Sequence, residues 1–351
     1  MLQELIKISK YAGMREDLVQ AGGGNTSVKI SKNEMLIKAS GCQLSEVSKD
    51  YGYSRVCYSQ IAEYLSTHQD KVISEKDGKE ILSSTLLEGM RPSIETFLHS
   101  VTDTVTMHTH AVVVNVLAAR KNGMEALRQI FPEALFIDYA TPGVDLAQKY
   151  FKQYTEQMAE GKKGNIIFLK NHGLIISGRN ADEVITLNEV VINKIADFIQ
   201  MDNSSYRDNY LLYRTLKKYD VISDDKIVYL SHNTILKSAI QKYKSNAWKI
   251  AFCPDCLVYC GRKIFVAPHD MDKTVIDKHI EVYGEPVAIV FRDNIFIVAE
   301  NIKKAKEIES VLEFSATVNI YNEGNDLDCL STKEQGYLLN WESEKYRKNM
   351  K

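Results

Sequence analysis

The sequence predicts an α/β protein in which a central sheet is covered by helices on both faces, followed by a smaller α+β domain. Strand-like apolar runs alternate with helical segments as far as residue 201. A polar segment at 202–225, rich in Tyr, Asn, Asp and Lys, separates this part from a strand-rich remainder. We therefore expect one domain over residues 1–220 and a smaller one over residues 221–351.

Size and charge exclude several classes of partner. The chain has 351 residues, with 44 basic and 46 acidic side chains. A balance this close to neutral does not favour binding to nucleic acid or to an anionic membrane. The charged N-terminus lacks the apolar core of a signal peptide, and the most apolar segment, 111–119, is too short to cross a bilayer. We expect a soluble, cytoplasmic protein that acts on a small molecule.

The first elements surround a glycine-rich turn. Residues 1–20 indicate a helix, and 28–30 with 35–39 indicate a short hairpin. Between them, Gly22-Gly23-Gly24 lacks both the Gly-Lys-Ser/Thr ending of a nucleotide phosphate loop and the spacing of a dinucleotide-binding turn. We therefore exclude nucleotide binding at this turn.

The next elements alternate between the two types of secondary structure. Residues 56–68 mix strand and turn signals, and a helix is expected to start at 91–95 with Ser93 as its cap. After it we expect a strand at 107–111, a helix at 113–120, a strand at 134–139, a helix opened by the turn at 141–147, a strand at 166–176 and a long amphipathic helix at 181–201.

Two histidines stand out in the predicted strand at 107–111. Because successive side chains on a strand point to opposite faces, His108 and His110 project the same way while Thr109 faces the other side. His172, in the predicted strand at 166–176, would complete a three-nitrogen site with an open position, as a catalytic zinc requires. The alternative is that all three are ordinary half-buried histidines, so other residues must decide between the two.

The remainder of the chain has no cluster of catalytic residue types. Strands are expected at 248–252, 263–267, 287–291 and 295–299, the last two joined by a tight turn, and helices at 302–318 and 333–348. We expect this domain to support assembly or to close over the substrate.

Cysteines are too sparse for a disulfide scaffold, since there are six in the chain. Cys253-Pro254-Asp255-Cys256, with Cys260 after it, resembles half of a zinc ribbon or a redox pair. A second such pair is missing, and the residues at 257–259 are strand-like. We therefore favour buried thiols over a structural metal or a redox role.

Six motifs in the first 180 residues follow the order of one enzyme family. They are Gly24-Asn25-Thr26-Ser27-Val28-Lys29, Lys38-Ala39-Ser40-Gly41, Arg91-Pro92-Ser93-Ile94-Glu95, His108-Thr109-His110, Tyr139-Ala140-Thr141-Pro142-Gly143 and Lys170-Asn171-His172-Gly173-Leu174. On these motifs the chain resembles the class II (zinc-dependent) aldolase/adducin family, which includes fuculose-phosphate and rhamnulose-phosphate aldolases. The resemblance implies a three-layer α/β/α domain and a homotetramer with metal sites near subunit interfaces.

The resemblance further implies that His108, His110 and His172 hold the metal and that Glu95 is the acid/base beside it. Zinc is the first expectation, although imidazoles also accept Co²⁺, Mn²⁺ or Fe²⁺. Neutral imidazoles leave a divalent ion its full charge, which suits a Lewis acid that stabilises an enediolate. Glu95 has a structural alternative, because acidic residues at a helix start favour the helix dipole. We expect His99 to be a packed residue.

Tyr139 matches the family tyrosine that reaches the site of an adjacent subunit and handles the proton of the aldehyde-derived oxygen. Its alternative role is a buried aromatic residue at the end of a strand. A catalytic role for Tyr139 would require an oligomer.

A phosphate site is implied at Gly24, Asn25, Ser40, Gly41 and Ser93, where backbone amides and small hydroxyls form an anion cradle. One position departs from the pattern: fuculose-phosphate aldolases have two consecutive serines before the glutamate, whereas here Ile94 follows Ser93. This removes one hydroxyl and makes the phosphate assignment weaker than the metal assignment.

The Ser-Ile-acid sequence resembles the aldolase part of bifunctional rhamnulose-phosphate aldolase/dehydrogenases, as do residues 254–259 and 339–347 in the second domain. A dinucleotide fingerprint does not follow residue 347, so we expect the dehydrogenase activity to be absent.

The resemblance therefore implies a lyase of carbohydrate metabolism, a metal-dependent aldolase that splits a ketose, expected to be phosphorylated. Two alternatives stay open. One is another reaction on the same scaffold, a sugar-phosphate epimerase or dehydratase. The other is a non-catalytic, adducin-like interaction module, because activity depends on a site and not on a fold.

Overall fold

The computed structural model describes residues 1–69, 71, 73–243, 248–323 and 326–340. Contacts between residues divide the chain into two units, Met1–Asn203 and Ser204–Lys351. The division falls before the boundary expected near residue 220, because the helix Ser204–Lys218 packs on the sheet of the second unit. In that contact Asn209 Nδ2 donates to the carbonyl of Val228 at 2.8 Å.

The first unit contains eight α-helices, a short 3₁₀ helix at Leu44–Glu46 and eight strands in its described part. The helices are α1 Leu2–Gly13, α2 Tyr58–Thr67, α3 Glu75–Ser84, α4 Thr96–Ser100, α5 Val112–Ala118, α6 Gly123–Ile130, α7 Val144–Ala159 and α8 Ala181–Ile199. The strands are β1 Asn25–Lys29, β2 Glu34–Lys38, β3 Tyr53–Cys57, β4 Leu86–Gly89, β5 Val105–Thr109, β6 Leu135–Ile137, β7 Ile166–Leu169 and β8 Gly173–Gly178.

These eight strands form one sheet in the order β4-β3-β2-β1-β5-β8-β7-β6. Neighbouring strands are antiparallel, except that β6 and β7 are parallel. Helices α1, α5 and α8 pack with each other and on the central strands, while α2, α4 and α7 form a second group. Two helix layers around one sheet confirm the predicted three-layer α/β/α fold.

The central strands are buried along their whole length. Every residue of β5 and of β8 is buried, so both faces of these two strands are covered. The apolar core beside them includes Ile167, Ile175 and Tyr150. Each fully buried aliphatic side chain there contributes roughly 1.5–3 kcal/mol. The elements that carry the histidines therefore stand on a well-packed core.

Residues 166–176 differ from the expectation of a single strand. They form an antiparallel hairpin of β7 and β8, with His172 in the turn between them. Asn171 has φ 54°, in the left-handed region that reverses the chain and that Asn tolerates better than most residues. The hairpin predicted at 28–30 and 35–39 is confirmed as β1 and β2, whereas residues 56–68 become the end of β3 followed by α2.

The second unit contains a smaller sheet with helices around it. Its helices are α9 Ser204–Lys218, α10 Thr234–Tyr243, α11 Pro254–Cys260, α12 Lys273–Tyr283, α13 Ile302–Tyr321 and α14 Thr332–Asn340. Its strands are β9 Ile227–Leu230, β10 Phe265–Val266, β11 Ala288–Phe291 and β12 Asn294–Ala299, in the order β10-β11-β12-β9.

The tight turn between β11 and β12 is confirmed, and both of its central residues have positive φ, 47° at Arg292 and 62° at Asp293. Two other expectations are wrong: residues 248–252 contain no strand, and residues 257–259 lie in α11. The closing helix expected at 333–348 is described as α14 up to residue 340. Residues 341–348, with most of the motif at 339–347, lie outside the described residues.

Within the described residues, every helix is too short or too polar to traverse a lipid bilayer.

Candidate metal centre

Four side chains from three separate parts of the first unit meet at one place. His108 lies in β5, His110 follows the end of that strand, His172 lies in the turn before β8, and Glu95 immediately precedes α4. Because β5 and β8 pair in antiparallel register, the turn before β8 is held beside the end of β5. One ligand atom from each of the four residues lies within 4.8 Å of all the others.

The distances suit one common cation. His108 Nε2 is 3.3 Å from His172 Nε2, and Glu95 Oε1 is 3.4 Å from His108 Nε2 and 3.7 Å from His172 Nε2. Ligands bound at 2.0–2.1 Å to a tetrahedral zinc ion lie about 3.3 Å from one another. Three imidazoles and a carboxylate also form a donor set that divalent zinc accepts. The residues present therefore fit the group that the resemblance implies.

One hydrogen bond orients the ring of His108, and another holds the backbone at His172. The Nδ1–H of His108 donates to the carbonyl of Leu174 at 3.1 Å, which leaves the Nε2 lone pair free to face the centre. Asn115 Nδ2 donates to the carbonyl of His172 at 3.2 Å and holds the turn that carries this residue. His110 Nε2 is buried without a hydrogen-bond partner in the described structure, as expected of an atom reserved for a ligand.

The protonation of His110 also suits a metal ligand. Its pKa is lowered to about 4, mainly by burial and also by the nearby His108 and His172, while Glu95 opposes the shift. At neutral pH His110 is therefore a neutral imidazole, the form that binds metal ions.

Glu95 is held as a carboxylate. Burial alone would raise its pKa, but the close approach of the His108 and His172 rings holds the pKa well below the ordinary value. The side chain is 17% exposed, so it stays open to a small molecule at the centre.

The glycine-rich turn packs directly on the histidines. Gly24 has φ 72°, and a Cβ there would lie 2.9 Å from the backbone oxygen of His108. A Cβ at Gly23 would lie 2.7 Å from Nδ1 of His110. Asn25 pairs with His108 across β1 and β5, and its buried Nδ2 has no partner in the described structure. Gly24 and Asn25 therefore lie beside the cluster, and Asn25 Nδ2 is a hydrogen-bond donor without a partner in the described structure.

Ser40, Gly41 and Ser93 lie on two adjoining turns. The backbone N–H of Ser40 donates to the carbonyl of Arg91 at 2.9 Å, and Ala39 pairs with Pro92 as an isolated bridge. Ser93 Oγ accepts from the N–H of Glu95 at 3.3 Å, so this turn leads directly to the carboxylate. The structure thus joins the turn of Ser40 and Gly41 to the turn that ends at Glu95.

Tyr139 stands apart from the cluster. It follows β6 by two residues, and its side chain is 53% exposed, so it is not the buried aromatic residue of the structural alternative. Its carbonyl accepts from Lys149 Nζ at 2.9 Å. Its role at the site of an adjacent subunit stays a prediction.

His99 is packed, as expected. Its side chain is fully buried, and its Nδ1 shares a hydrogen bond of 2.7 Å with Ser27 Oγ. Burial lowers the pKa of His99 to about 3, the charges of His108 and Lys29 act in the same direction, and Glu95 opposes them. His99 is therefore a neutral residue of the core behind Glu95.

Two residues that the sequence analysis did not single out contribute to this region. Lys38 is 3% exposed and its Nζ donates to the carbonyl of Gly22 at 3.0 Å, so it ties β2 to the glycine-rich turn. Asn115 holds the turn of His172. In the sequence, each of them is a polar side chain inside an otherwise apolar run, and this pattern could have identified both.

Comparisons with known proteins show the family of the first part of the chain. Residues 3–196 match the family model described as Class II Aldolase and Adducin N-terminal domain. Among curated proteins, "Uncharacterized oxidoreductase YuxG" from Bacillus subtilis (strain 168) is 24% identical over 237 residues. The matched region covers 64% of this chain and 32% of that protein, so the chain spans about a third of the length of this relative.

Two solved structures are similar to the first part of the chain. The N-terminal class II aldolase domain of a conserved protein from Thermoplasma acidophilum is 24% identical, with 56% of this chain and 92% of that chain covered and a TM-score of 0.48. An L-fuculose 1-phosphate aldolase is 22% identical, with 57% of this chain and 85% of that chain covered and a TM-score of 0.39.

Proposed function

The chain belongs to the class II aldolase and adducin family, and we propose that it is a metal-dependent lyase that cleaves a ketose 1-phosphate by retro-aldol chemistry. The observation that carries the proposal is the convergence of His108, His110, His172 and Glu95 within 4.8 Å. A non-catalytic interaction module would not require three imidazoles and a carboxylate to point at one another.

We assign metal binding to the three histidines, with Zn²⁺ as the first candidate and Co²⁺, Mn²⁺ or Fe²⁺ as alternatives. A divalent cation held there would supply a Lewis acid that stabilises the negative charge left on the ketone fragment when the carbon–carbon bond breaks. Two hydrogen bonds support this assignment before any ligand binds, because the bond to Leu174 orients the ring of His108 and the bond from Asn115 holds the turn of His172.

We assign proton transfer at the ketone-derived carbon to Glu95. Its carboxylate is ionised, lies among the imidazoles and is partly open to solvent. A carboxylate in this position takes a proton from that carbon in the condensation direction and returns it in the cleavage direction. Tyr139 is our candidate for the proton of the aldehyde-derived oxygen, contributed by a neighbouring subunit of a homotetramer.

We assign the phosphate to the cradle of Gly24, Asn25, Ser40, Gly41 and Ser93. The unused donor at Asn25 Nδ2 supports this, because a buried donor without a partner is costly unless a ligand completes it. Both turns of the cradle adjoin the metal ligands, which suits a substrate with its phosphate close to its ketone carbon.

The second unit, Ser204–Lys351, contains the expected domain 221–351. We propose that it supports assembly or closes over the substrate. A protein shortened to residues 1–203 would test this role. Its number of subunits in solution or its kinetics should change, and an unchanged oligomer with unchanged kinetics would refute the role.

The direct test of function is release of dihydroxyacetone phosphate from a panel of ketose 1-phosphates by the purified protein. Activity should be lost with a chelator and should return with zinc. Analysis of the products by NMR separates the alternatives, because an epimerase yields a new ketose and a dehydratase yields a dehydrated product without a free aldehyde.

A histidine variant and its control complete the test. His110→Ala should abolish turnover together with metal binding, whereas His269→Ala, an exposed histidine of the second unit, should change neither. Turnover that persists in a metal-free protein would refute the proposal.

A further inference from the structure

Three cysteines of the second unit lie on helix α11. Cys253 is the N-cap residue, Cys256 lies in the first turn and Cys260 ends the helix. In a strand, residues three apart face opposite sides, whereas in a helical turn they lie on the same face. The first helical turn therefore places the side chains of Cys253 and Cys256 near each other.

Cys253 lies close enough to Cys256 to raise the pKa of the Cys256 thiol. Both are free cysteines. Residues three apart in a helical turn have Cα atoms about 5 Å apart, within the range of about 4.4–6.8 Å that a disulfide spans. A bond between these two sulfurs thus requires only a local change of side-chain rotamers.

The two thiols differ in access. Cys253 is half-buried, whereas Cys256 is fully buried. Burial raises the pKa of the Cys256 thiol to about 12, and the neighbouring Cys253 acts in the same direction. Cys253 is therefore the thiol that a reagent from solvent meets first, and Cys256 is the thiol that reacts second.

A metal site at the same place is not supported by the geometry. In the described part of the chain, three or more metal-binding donors gather only at Glu95 and its histidines. Within the residues that the structure describes, the cysteines of α11 lack the third and fourth ligands that a structural zinc requires.

We propose that Cys253 and Cys256 form a reversible dithiol–disulfide site, oxidised by a small-molecule disulfide. The Cys253 thiolate attacks one sulfur of that disulfide, so a mixed disulfide forms and one small thiol leaves. The Cys256 sulfur then attacks Cys253, the protein disulfide forms, and the second small thiol leaves with the proton of Cys256. Two protein thiols are oxidised and one small disulfide is reduced to two thiols. This site does not depend on the proposed aldolase function.

The structure contains a built-in reporter of this reaction. Trp248 Nε1 donates to Ser315 Oγ at 3.1 Å, and the same hydroxyl contacts the Cys256 thiol. Oxidation of Cys256 removes its hydrogen-bonding thiol from Ser315 and should change the fluorescence of Trp248. A Trp341→Phe background leaves Trp248 as the single tryptophan, since the chain has two.

The test exposes the full-length, reduced protein to glutathione buffers of increasing oxidised fraction, followed by acid quenching, alkylation and peptide mass spectrometry. The expected product is a disulfide between Cys253 and Cys256, with a loss of two hydrogen atoms, reversed by dithiothreitol. Exposed Cys329 is the internal control for reagent access. If Cys329 is glutathionylated while Cys253 and Cys256 stay reduced, or if Cys256 pairs with Cys260, the proposal is overturned.

Variants test the order of the steps. Cys256→Ala should accumulate the mixed disulfide at Cys253, Cys253→Ala should leave Cys256 unreacted, and Cys329→Ser should behave as the parent protein. Equal reactivity of Cys256 in Cys253→Ala would contradict the assigned order. Circular dichroism shows which variants are folded, and the wild-type mapping decides the proposal even if one of them is not.

Discussion

His108 and His172 face each other through their Nε2 atoms at 3.3 Å, although 64 residues separate them in the chain. The pairing of β5 with β8 creates this approach, and the bond from His108 Nδ1 to the carbonyl of Leu174 sets the ring orientation. Two ring nitrogens at this distance cannot both carry a proton without repulsion. A shared cation relieves that conflict.

Asn115 should control metal affinity without being a ligand. Its Nδ2 holds the carbonyl of His172, so Asn115→Ala frees the turn that presents this imidazole. We expect the affinity for zinc to fall roughly 10-fold to 100-fold, the usual effect of losing a residue that positions a ligand. Isothermal titration with zinc measures this value.

The control for this change is Asn122→Ala, because Asn122 is an exposed N-cap without a side-chain hydrogen bond to its helix. Its zinc affinity should match that of the parent protein. An unchanged affinity in Asn115→Ala would show that the turn of His172 is held without Asn115.

Replacing Gly23 or Gly22 by alanine distinguishes the effect of a close contact with His110 from the general effect of replacing a glycine. A Cβ at Gly23 would lie 2.7 Å from Nδ1 of His110, whereas a Cβ at Gly22 meets nothing within 4 Å. Gly23→Ala should displace His110, weaken zinc binding and lower the free energy of unfolding by about 1–3 kcal/mol.

Gly22→Ala should bind zinc as the parent protein does. Metal analysis and urea denaturation of both variants check the pair. Equal zinc content in the two variants would contradict the close packing of the turn on His110.

Glu95→Gln should separate catalysis from metal binding. The amide keeps nearly the same volume but cannot accept the proton, so kcat should fall roughly 10²-fold to 10⁴-fold. Zinc content should be retained, because the three imidazoles remain. Steady-state kinetics and metal analysis on the same preparation give both values.

Glu88→Gln is the matched control, since the side chain of Glu88 is 75% exposed on an edge strand of the same sheet. It should leave kcat unchanged. A Glu95→Gln variant with full activity would remove the proton-transfer role from Glu95.

His99 should make the fold sensitive to acid. Its pKa is lowered to about 3 in the folded protein, first by burial and then by nearby positive charge, so the folded state keeps it neutral. The unfolded chain binds a proton near pH 6.5. The favourable contribution of His99 is therefore complete above pH 6.5 and is lost as the pH falls from 6.5 toward 3.

His99→Asn keeps a polar atom near Ser27 and removes the titration. The difference in unfolding free energy between this variant and the parent should change by about 1.4 kcal/mol per pH unit between pH 6 and 4, in favour of the variant. Urea denaturation of the metal-free proteins at several pH values measures it. A difference that stays constant with pH would contradict a buried, neutral His99, and His269→Asn serves as the exposed control.

The sequence was sufficient for most elements of the first unit and for the four residues that the structure brings together, Glu95 and the three histidines. Strand alternation related His108 to His110, and the apolar periodicity predicted a sheet between helices, which the structure confirms. Both kinds of inference depend on neighbours within a few residues, where the periods of helix and strand are decisive.

Only the tertiary structure decided how distant segments meet. It divided residues 166–176 at Asn171, placed His172 in a turn and brought Glu95 to the same point. It also made residues 254–260 a helix, which joined Cys253 to Cys256. The physical reason is that strand pairing and burial depend on contacts between residues far apart in the chain, and these contacts override local preference when the two compete.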